Sequence, residues 1–286
     1  MANSKDDREP TLRSGNDYDS VFDPNAYLTL YYSDVEGYKA GLLQFRLKTL
    51  HEIFSTGRAS VKEKKLEMLI LTASKIKGTR LLDIGTGPCI HSVISASKWF
   101  DEITLTDFAD VNRRALKKWW LEEDGAWNWD PFFKYVAKLD GNEGKWEKYR
   151  EKLRKKIKDV LVCDVHKVNP ISPHKAGRYM YDAITSCQCL EVASADTEAY
   201  KQAIKNVVSF LKVNGYFVLI GNLNDRLYHV GQETFFCLPL EKETVEEALE
   251  QAGLENITWC QYDVGKEDDE MECILFVASA TKKAVM

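Results

Sequence analysis

Hydrophobic positions along this chain fall into two alternating rhythms. Short apolar runs, with the length of buried strands, occur at 80–84, 102–107, 159–163, 181–186 and 216–220. Between them, apolar residues recur every three or four positions over 90–99, 110–122 and about 196–211, the spacing of amphipathic helices. Lys212-Val213-Asn214-Gly215 reads as a helix C-cap closing the last of these. Strands separated by helices predict an α/β fold with a doubly wound, mostly parallel sheet covered on both faces. The end of the chain breaks the rhythm. Helix 241–252 precedes two strand candidates, 257–264 and 272–278, with no long helix between them. They predict an antiparallel edge and bring the sheet to seven strands.

Ahead of the first strand, helical periodicity covers 36–57 and 61–76. Asp23-Pro24 predicts a helix start, with Asp as N-cap and Pro at the first helical position. The aromatics Phe22, Tyr27, Tyr31 and Tyr32 cluster around it. Residues 1–17 are polar and charged and read as a disordered tail. That leaves 18–286 as one domain with an N-terminal helical cap. Two insertions interrupt the alternation. Residues 145–158 hold eight basic and two acidic residues, and a solvated helix face accounts for them in a chain that is acidic overall. Residues 222–240 follow a strand and carry Tyr228, His229, Phe235 and Phe236, in the kind of loop where such sheets bind ligands.

The densest chemical signal is Arg80-Leu81-Leu82-Asp83-Ile84-Gly85-Thr86-Gly87-Pro88. A strand runs into a Gly-x-Gly turn and then a helix, which brings bare backbone and helix N–H groups to a ligand. Twenty residues beyond Gly87, Asp107 ends the next strand, the spacing of an acid that binds ribose hydroxyls. A dinucleotide site would carry a third glycine or alanine where Ile90 stands. Asp83 just before the turn would repel a pyrophosphate. A ligand with a ribose, no phosphate and a cationic end fits better, and S-adenosyl-L-methionine has all three properties.

Composition narrows the remaining classes. Net charge is −5, unlike the basic balance of a general nucleic-acid binder. No run is long and apolar enough to span a bilayer, and the first residues lack the apolar core of a secretory signal. Seven cysteines at irregular spacing read as reduced thiols, which points to the cytoplasm. Cys187-x-Cys189 has no matching second pair, and the five histidines are scattered, so no metal site is expected. A monomer without membrane or nucleic-acid partners is the expectation.

From about Phe22 to Ala278 the chain resembles the nicotinamide, phenylethanolamine and indolethylamine N-methyltransferase family. The resemblance is carried by Phe22-Asp23-Pro24-Asn25-Ala26-Tyr27-Leu28, Leu82-Asp83-Ile84-Gly85-Thr86-Gly87-Pro88 and Ile103-Thr104-Leu105-Thr106-Asp107-Phe108. Asn112 with Leu116 and Trp119, Val162-Cys163-Asp164-Val165-His166, Cys189-Leu190-Glu191, and Tyr228 with Gly231 continue it. The resemblance implies the Rossmann-like methyltransferase fold. It implies that Tyr27 and Tyr32 cover the cofactor, and that Gly85 and Gly87 lie against its methionine portion. It places Asp107 on the ribose, Asn112 near the adenosine, and Asp164 with Val165 on the adenine. His91 departs from the family, which usually has a tyrosine there, and 59–77 looks like an extra helical stretch.

The same resemblance bears on the methyl acceptor. Glu191 and Asp225 match acidic positions, and Tyr228 a pocket tyrosine. Where nicotinamide enzymes carry an aspartate for the carboxamide, this chain has Gly221, with Asn222 beside it. A further C-terminal acid corresponds to Asp269 or Glu270. Two acids without the amide-binding aspartate favour a small amine of the phenylethanolamine or tryptamine type, with Glu191 and Asp225 as the catalytic acids. Nicotinamide or a related pyridine is the alternative. A binding protein that keeps the fold without catalysis is the other class, and intact Asp83, Gly85, Gly87, Asp107 and Asp164 argue against it.

Overall fold

A computed structural model describes residues 12–33, 35–36, 40–56, 76–171, 180–265 and 273–284. In chain order, its strands are β1 (Leu12–Arg13), β2 (Gly78–Ile84), β3 (Phe100–Asp107), β4 (Ile157–Val162) and β5 (Tyr181–Cys187), then β6 (Leu211–Leu223), β7 (Leu227–Val230), β8 (Glu233–Phe236), β9 (Leu254–Gly265) and β10 (Cys273–Lys282). Seven of them form one sheet in the order β4-β3-β2-β5-β6-β10-β9. The first five in that order run parallel, and β10 is antiparallel to both β6 and β9.

Burial on both faces explains why the strands read as continuous apolar runs. In β6, Val218 and Ile220 pack into one layer while Phe217 and Leu219 pack into the other. Each such side chain contributes about 1.5–3 kcal/mol when fully buried. The first layer holds helices Ala40–Thr56, Asp110–Trp120, Asp130–Leu139 and Trp146–Lys156, through Leu50, Leu116, Phe133 and Leu153. The second holds Thr197–Val208 and Lys242–Gln251, through Ile204 and Leu249. Among the described residues, no helix is long and apolar enough to cross a membrane.

Several local expectations need correction. The helix expected over 90–99 is instead one turn at His91–Ile94 and a 3-10 turn at Ala96–Lys98. Its serines compete with the helix ladder, as where Ser97 Oγ donates to the Ile94 carbonyl at 2.7 Å. Lys212–Gly215 does not cap the preceding helix, which ends at Val208. Those residues lie within β6, whose pairing with β5 jumps from Tyr181↔Leu211 to Ala183↔Tyr216. Asn214, at φ +59°, bulges the extra residues out of register there. Of the tail expected over 1–17, residues 1–11 lie outside the described residues, and Leu12 and Arg13 pair with Thr234 and Phe235 of β8. The insertion after β6 folds as the β7–β8 hairpin, and with β1 it makes a second, three-stranded sheet. Helix Asp130–Leu139 was not foreseen from the sequence. The helix expected over 61–76 lies outside the described residues except for Ile76, as do Asp269 and Glu270.

Asp182 secures the entry to β2. Its Oδ2 accepts from the N–H groups of Thr79 and Arg80, each at 2.9 Å, and its Oδ1 from Lys212 Nζ at 2.5 Å. Burial alone would raise its pKa, but the bonds from Lys212, Arg80 and Thr79 outweigh burial and lower it. A carboxylate with a lowered folded-state pKa stabilises the fold above its unfolded pKa and loses that effect as pH falls through the folded value. Asp182→Ala is therefore expected to cost about 1–3 kcal/mol in denaturant unfolding at pH 7. The deficit should shrink below about pH 4. A deficit that does not change with pH would show that the charge of Asp182 is not what stabilises β2.

Candidate active site

The parallel strands bring their carboxyl ends to one edge of the sheet. Chain direction across the sheet reverses between β2 and β5, since β3 and β4 lie on one side and β5 and β6 on the other. That switch point is where open α/β sheets bind ligands. β2 runs there into Gly85 and Gly87, at φ +61° and +63°. A Cβ on Gly85 would stand 1.9 Å from Cys189 Sγ, whereas one on Gly87 would meet nothing within 4 Å. Packing of the protein against itself requires Gly85. Gly87 leaves the open side of the turn to a ligand.

Asp107 pins this turn. Its Oδ2 accepts from Gly87 N–H at 2.7 Å, and its Oδ1 from Ala109 N–H at 2.9 Å and Asn112 Nδ2 at 3.1 Å. One carboxylate thus joins the glycine turn to the start of helix Asp110–Trp120. Burial raises its pKa despite these bonds. Asp83 lies deeper. Thr185 Oγ1 donates to its Oδ1 and Ser92 Oγ to its Oδ2, the latter at 3.1 Å. Burial pushes its pKa up to about 6. Asp83 therefore braces the turn from beneath, between β5 and the following helical turn. Asp164 closes a turn of its own after β4, taking His166 N–H at 3.1 Å and Lys167 Nζ at 3.2 Å. Beside it, Val165 is buried, with its carbonyl bonded to Asn206 Nδ2 at 2.9 Å.

An aromatic cover lies over this edge. Asp23 caps helix Pro24–Tyr32 as expected, accepting from Asn25 and Ala26 N–H. Tyr27 packs against Phe22, Tyr31 and Tyr32 with ring centroids 5.1–5.7 Å apart. Tyr32 is buried, 5.0 Å from the His91 ring. Tyr228 stacks on Phe235 at 5.2 Å and shares a hydroxyl hydrogen bond with Tyr18. The N-terminal segment is also tied down elsewhere. Asp19 Oδ1 accepts from Asp110 and Val111 N–H, and Tyr31 Oη donates to the His229 carbonyl at 3.0 Å.

On the β5–β6 side, Glu191 is buried, and its Oε1 accepts from Asn222 N–H at 3.2 Å. Asn222 Nδ2 in turn donates to Asp225 Oδ2 at 2.9 Å, so one residue links the two acids. Burial raises the Glu191 pKa to about 7, and the Asp225 charge adds to the rise. A Cβ on Gly221 would stand 2.8 Å from the Phe276 ring and 3.0 Å from Glu191 Oε1. The acid and the ring fill the space that a side chain at 221 would need.

Three participants were missed in the sequence. Tyr18 gave no signal, because its role depends on a partner far along the chain, and Cys189 stood out only beside Glu191, with nothing to place its thiol against Gly85. Arg46 gave one: a charged residue interrupts the buried stripe Leu43, Leu47, Leu50, Phe54 of its helix. The residues fit a nucleoside cofactor with an amino-acid end. Gly87 is open, Asn112 Oδ1 is buried without a hydrogen-bond partner, and so is Arg46 Nε.

Comparison with known proteins agrees. The model of the NNMT/PNMT/TEMT family matches residues 57–283. Indolethylamine N-methyltransferase of Oryctolagus cuniculus is 37% identical over 86% of this chain and 88% of its own. Nicotinamide N-methyltransferase of Homo sapiens is 35% identical over 88% of both chains. Phenylethanolamine N-methyltransferase of Macaca mulatta is 32% identical over 82% of this chain and 78% of its own. Among solved structures, phosphoethanolamine N-methyltransferase 2 of Haemonchus contortus, in complex with S-adenosyl-L-methionine, matches with a TM-score of 0.51. It is 12% identical over 96% of this chain and 61% of its own, a likeness of fold alone. With the family model spanning most of its length and relatives at 32–37% identity over most of both chains, the chain belongs to the NNMT/PNMT/TEMT family of S-adenosylmethionine-dependent N-methyltransferases.

Proposed function

We propose that the methyl acceptor is a small primary amine of the aralkylamine class and that Glu191 takes its proton. The observation that carries this reading is the Glu191–Asn222–Asp225 arrangement, with Glu191 at a pKa of about 7 and no room at Gly221 for an amide-binding side chain. An ammonium has no lone pair with which to attack. A buried carboxylate that titrates near neutrality attracts the ammonium and then accepts its proton. Bound S-adenosyl-L-methionine supplies a methyl group already activated on a sulfonium. The protein then mainly has to hold the amine in line and keep water out. In this reading Asp107 holds the ribose, Asn112 lies near the adenosine, Asp164 and Val165 lie at the adenine, and Tyr27 and Tyr32 close over the cofactor. Tyr228 borders the acceptor, and Asp83 braces the turn. We place the enzyme in the cytoplasm as a monomer that works without nucleic acid, and its seven free cysteines support a reducing compartment.

Asp107→Ala is expected to weaken S-adenosyl-L-methionine binding by about 1–3 kcal/mol, roughly 5- to 150-fold in calorimetry. Unchanged affinity would remove Asp107 from the cofactor site.

Glu191→Gln separates the acceptors. For a primary amine, kcat/KM should fall on the order of 100-fold, and its rise with pH through about 7 should disappear. Cofactor affinity should hold. The stability of the ligand-free protein carries a second signature. Because its folded-state pKa is raised, Glu191 favours the fold below its ordinary pKa, and that contribution is lost as pH rises through about 7. Thermal melts of the Gln variant should lack this loss. If wild type methylates nicotinamide and no primary amine, the acceptor reading is wrong and the methyltransferase assignment stands.

The cover must open to admit ligands, since Glu191 and Tyr32 are almost fully enclosed. Hydrogen exchange over residues 20–32 is expected to slow when cofactor and product bind. Equal exchange with and without ligands would exclude a moving cover.

A further inference from the structure

Arg46 stands out among the buried charges. It sits on helix Ala40–Thr56 and is only 4% exposed. Its Nη1 donates to Tyr32 Oη at 3.1 Å, its guanidinium lies 5.9 Å from the Tyr32 ring centre, and its buried Nε has no hydrogen-bond partner among the described residues. Among the described residues, no carboxylate forms a salt bridge with it. Glu191 is near enough for the Arg46 charge to lower its pKa, but burial outweighs this and keeps that pKa raised, and the two form no salt bridge. Burial raises the pKa of the Tyr27 and Tyr32 phenols and of the Cys89 and Cys187 thiols, which keeps them neutral. His91 is held neutral as well, by burial and by the Arg46 charge itself. A buried guanidinium without a salt-bridge partner is costly, so an anionic ligand is the expected reason for one.

Position indicates which anion. Tyr32, which Arg46 holds, lies 5.0 Å from the ring of His91, the first residue of the helical turn after the glycine turn. His91 Nε2 meets Cys187 Sγ at 3.5 Å, at the end of β5. Arg46 therefore stands on the β5 side of the switch point, while Asp107 stands on the β3 side. A nucleoside whose ribose is held at Asp107 would cross the glycine turn and bring its amino-acid end to Arg46. We propose that Arg46 is the receptor for the α-carboxylate of the cofactor's methionyl end. A planar guanidinium matches a carboxylate with two parallel N–H bonds, and Nε supplies one of them. This rests on the cofactor placement proposed above.

The test is calorimetry of wild type, Arg46→Met, Arg46→Lys and Asp107→Ala with three ligands. These are S-adenosyl-L-methionine, S-adenosylhomocysteine and decarboxylated S-adenosylmethionine, which keeps the sulfonium and the amine but lacks the carboxylate. Arg46→Met is expected to weaken the two carboxylate ligands by roughly 10- to 100-fold and to leave the decarboxylated one unchanged. Arg46→Lys should recover part of the loss. The ligand-free Tm of Arg46→Met should not fall, because an unpaired buried cation has been removed. Equal losses for all three ligands, or a lower ligand-free Tm with no discrimination between them, would make Arg46 a packing residue and overturn the proposal. Unchanged cofactor affinity with a raised KM for an acceptor that bears a carboxylate would move the anion to the acceptor and overturn it too. Asp107→Ala separates the two levels: if it weakens every ligand while Arg46→Met weakens none, the cofactor placement stands and the Arg46 proposal fails.

Discussion

A carboxylate buried at the end of a strand must find donors, and where Asp107 finds them shapes the whole cleft. Its oxygens take the N–H of Gly87, the N–H of Ala109 and the amide of Asn112. Those three bonds hold the glycine turn, the end of β3 and the start of the next helix as one unit. Asp83 does the same one layer below, between Thr185 and Ser92. The turn is thus fixed from both sides before any ligand arrives. Backbone strain at Gly85 and Gly87 is tolerable only because these residues have no Cβ, and at Gly85 the thiol of Cys189 already fills that place. The cleft is rigid at its floor, and its adaptability has to come from above.

The cover is built differently. It is a short helix, a two-residue strand and a hairpin, joined by aromatic contacts and a few hydrogen bonds at partly exposed groups. Part of it, the apolar cluster of Phe22, Val230 and Phe235, is separate from the two clusters that flank the main sheet, while Leu28 and Tyr32 of the helix pack into the first of those. Small separate clusters with few buried contacts open at lower free energy than the sheet they rest on. A rigid floor and a weakly held roof suit a reaction that needs exact placement during transfer and free exchange of product afterwards.

Most of the sheet was legible because its strands are buried on both faces. Runs such as Phe217–Ile220 then show no polar interruption, and glycine, Asp-Pro and helical periodicity mark the boundaries. Legibility failed where the outcome depends on a distant partner. Asn214-Gly215 carries the chemistry of a C-cap, but the pairing of β6 with β5 claimed those residues for a bulge. Leu12 looked like part of a polar tail because its pairing partner, Thr234, lies more than two hundred residues away. The site divides in the same way. Asp107 ends β3, Gly87 lies in the turn after β2 and Glu191 in the helical turn Leu190–Ala193 that follows β5, where position relative to the sheet alone suggests a role. Arg46 and Tyr18 stand on helices and acquire meaning only through Tyr32 and Tyr228.

The acids of the cleft illustrate how one fold separates binding from proton transfer. Asp107 and Glu191 are both buried, and burial raises both pKa values. Asp107 is surrounded by three donors from the protein, which favour its charged form and counter the cost of burial. Glu191 has its own N–H and that of Asn222, with the charges of Asp225 and Arg46 nearby, and the Asp225 charge pushes its pKa further upward. The first environment suits a carboxylate that stays ionised and holds hydroxyl groups. The second suits one that exchanges a proton near neutral pH. The difference comes from the donors and charges that surround each carboxylate. Gly221 is part of that difference, since a side chain there would collide with Glu191 Oε1 and the Phe276 ring and force the acid out of its place. A single missing Cβ therefore couples the position of the proton acceptor to the shape of the acceptor pocket.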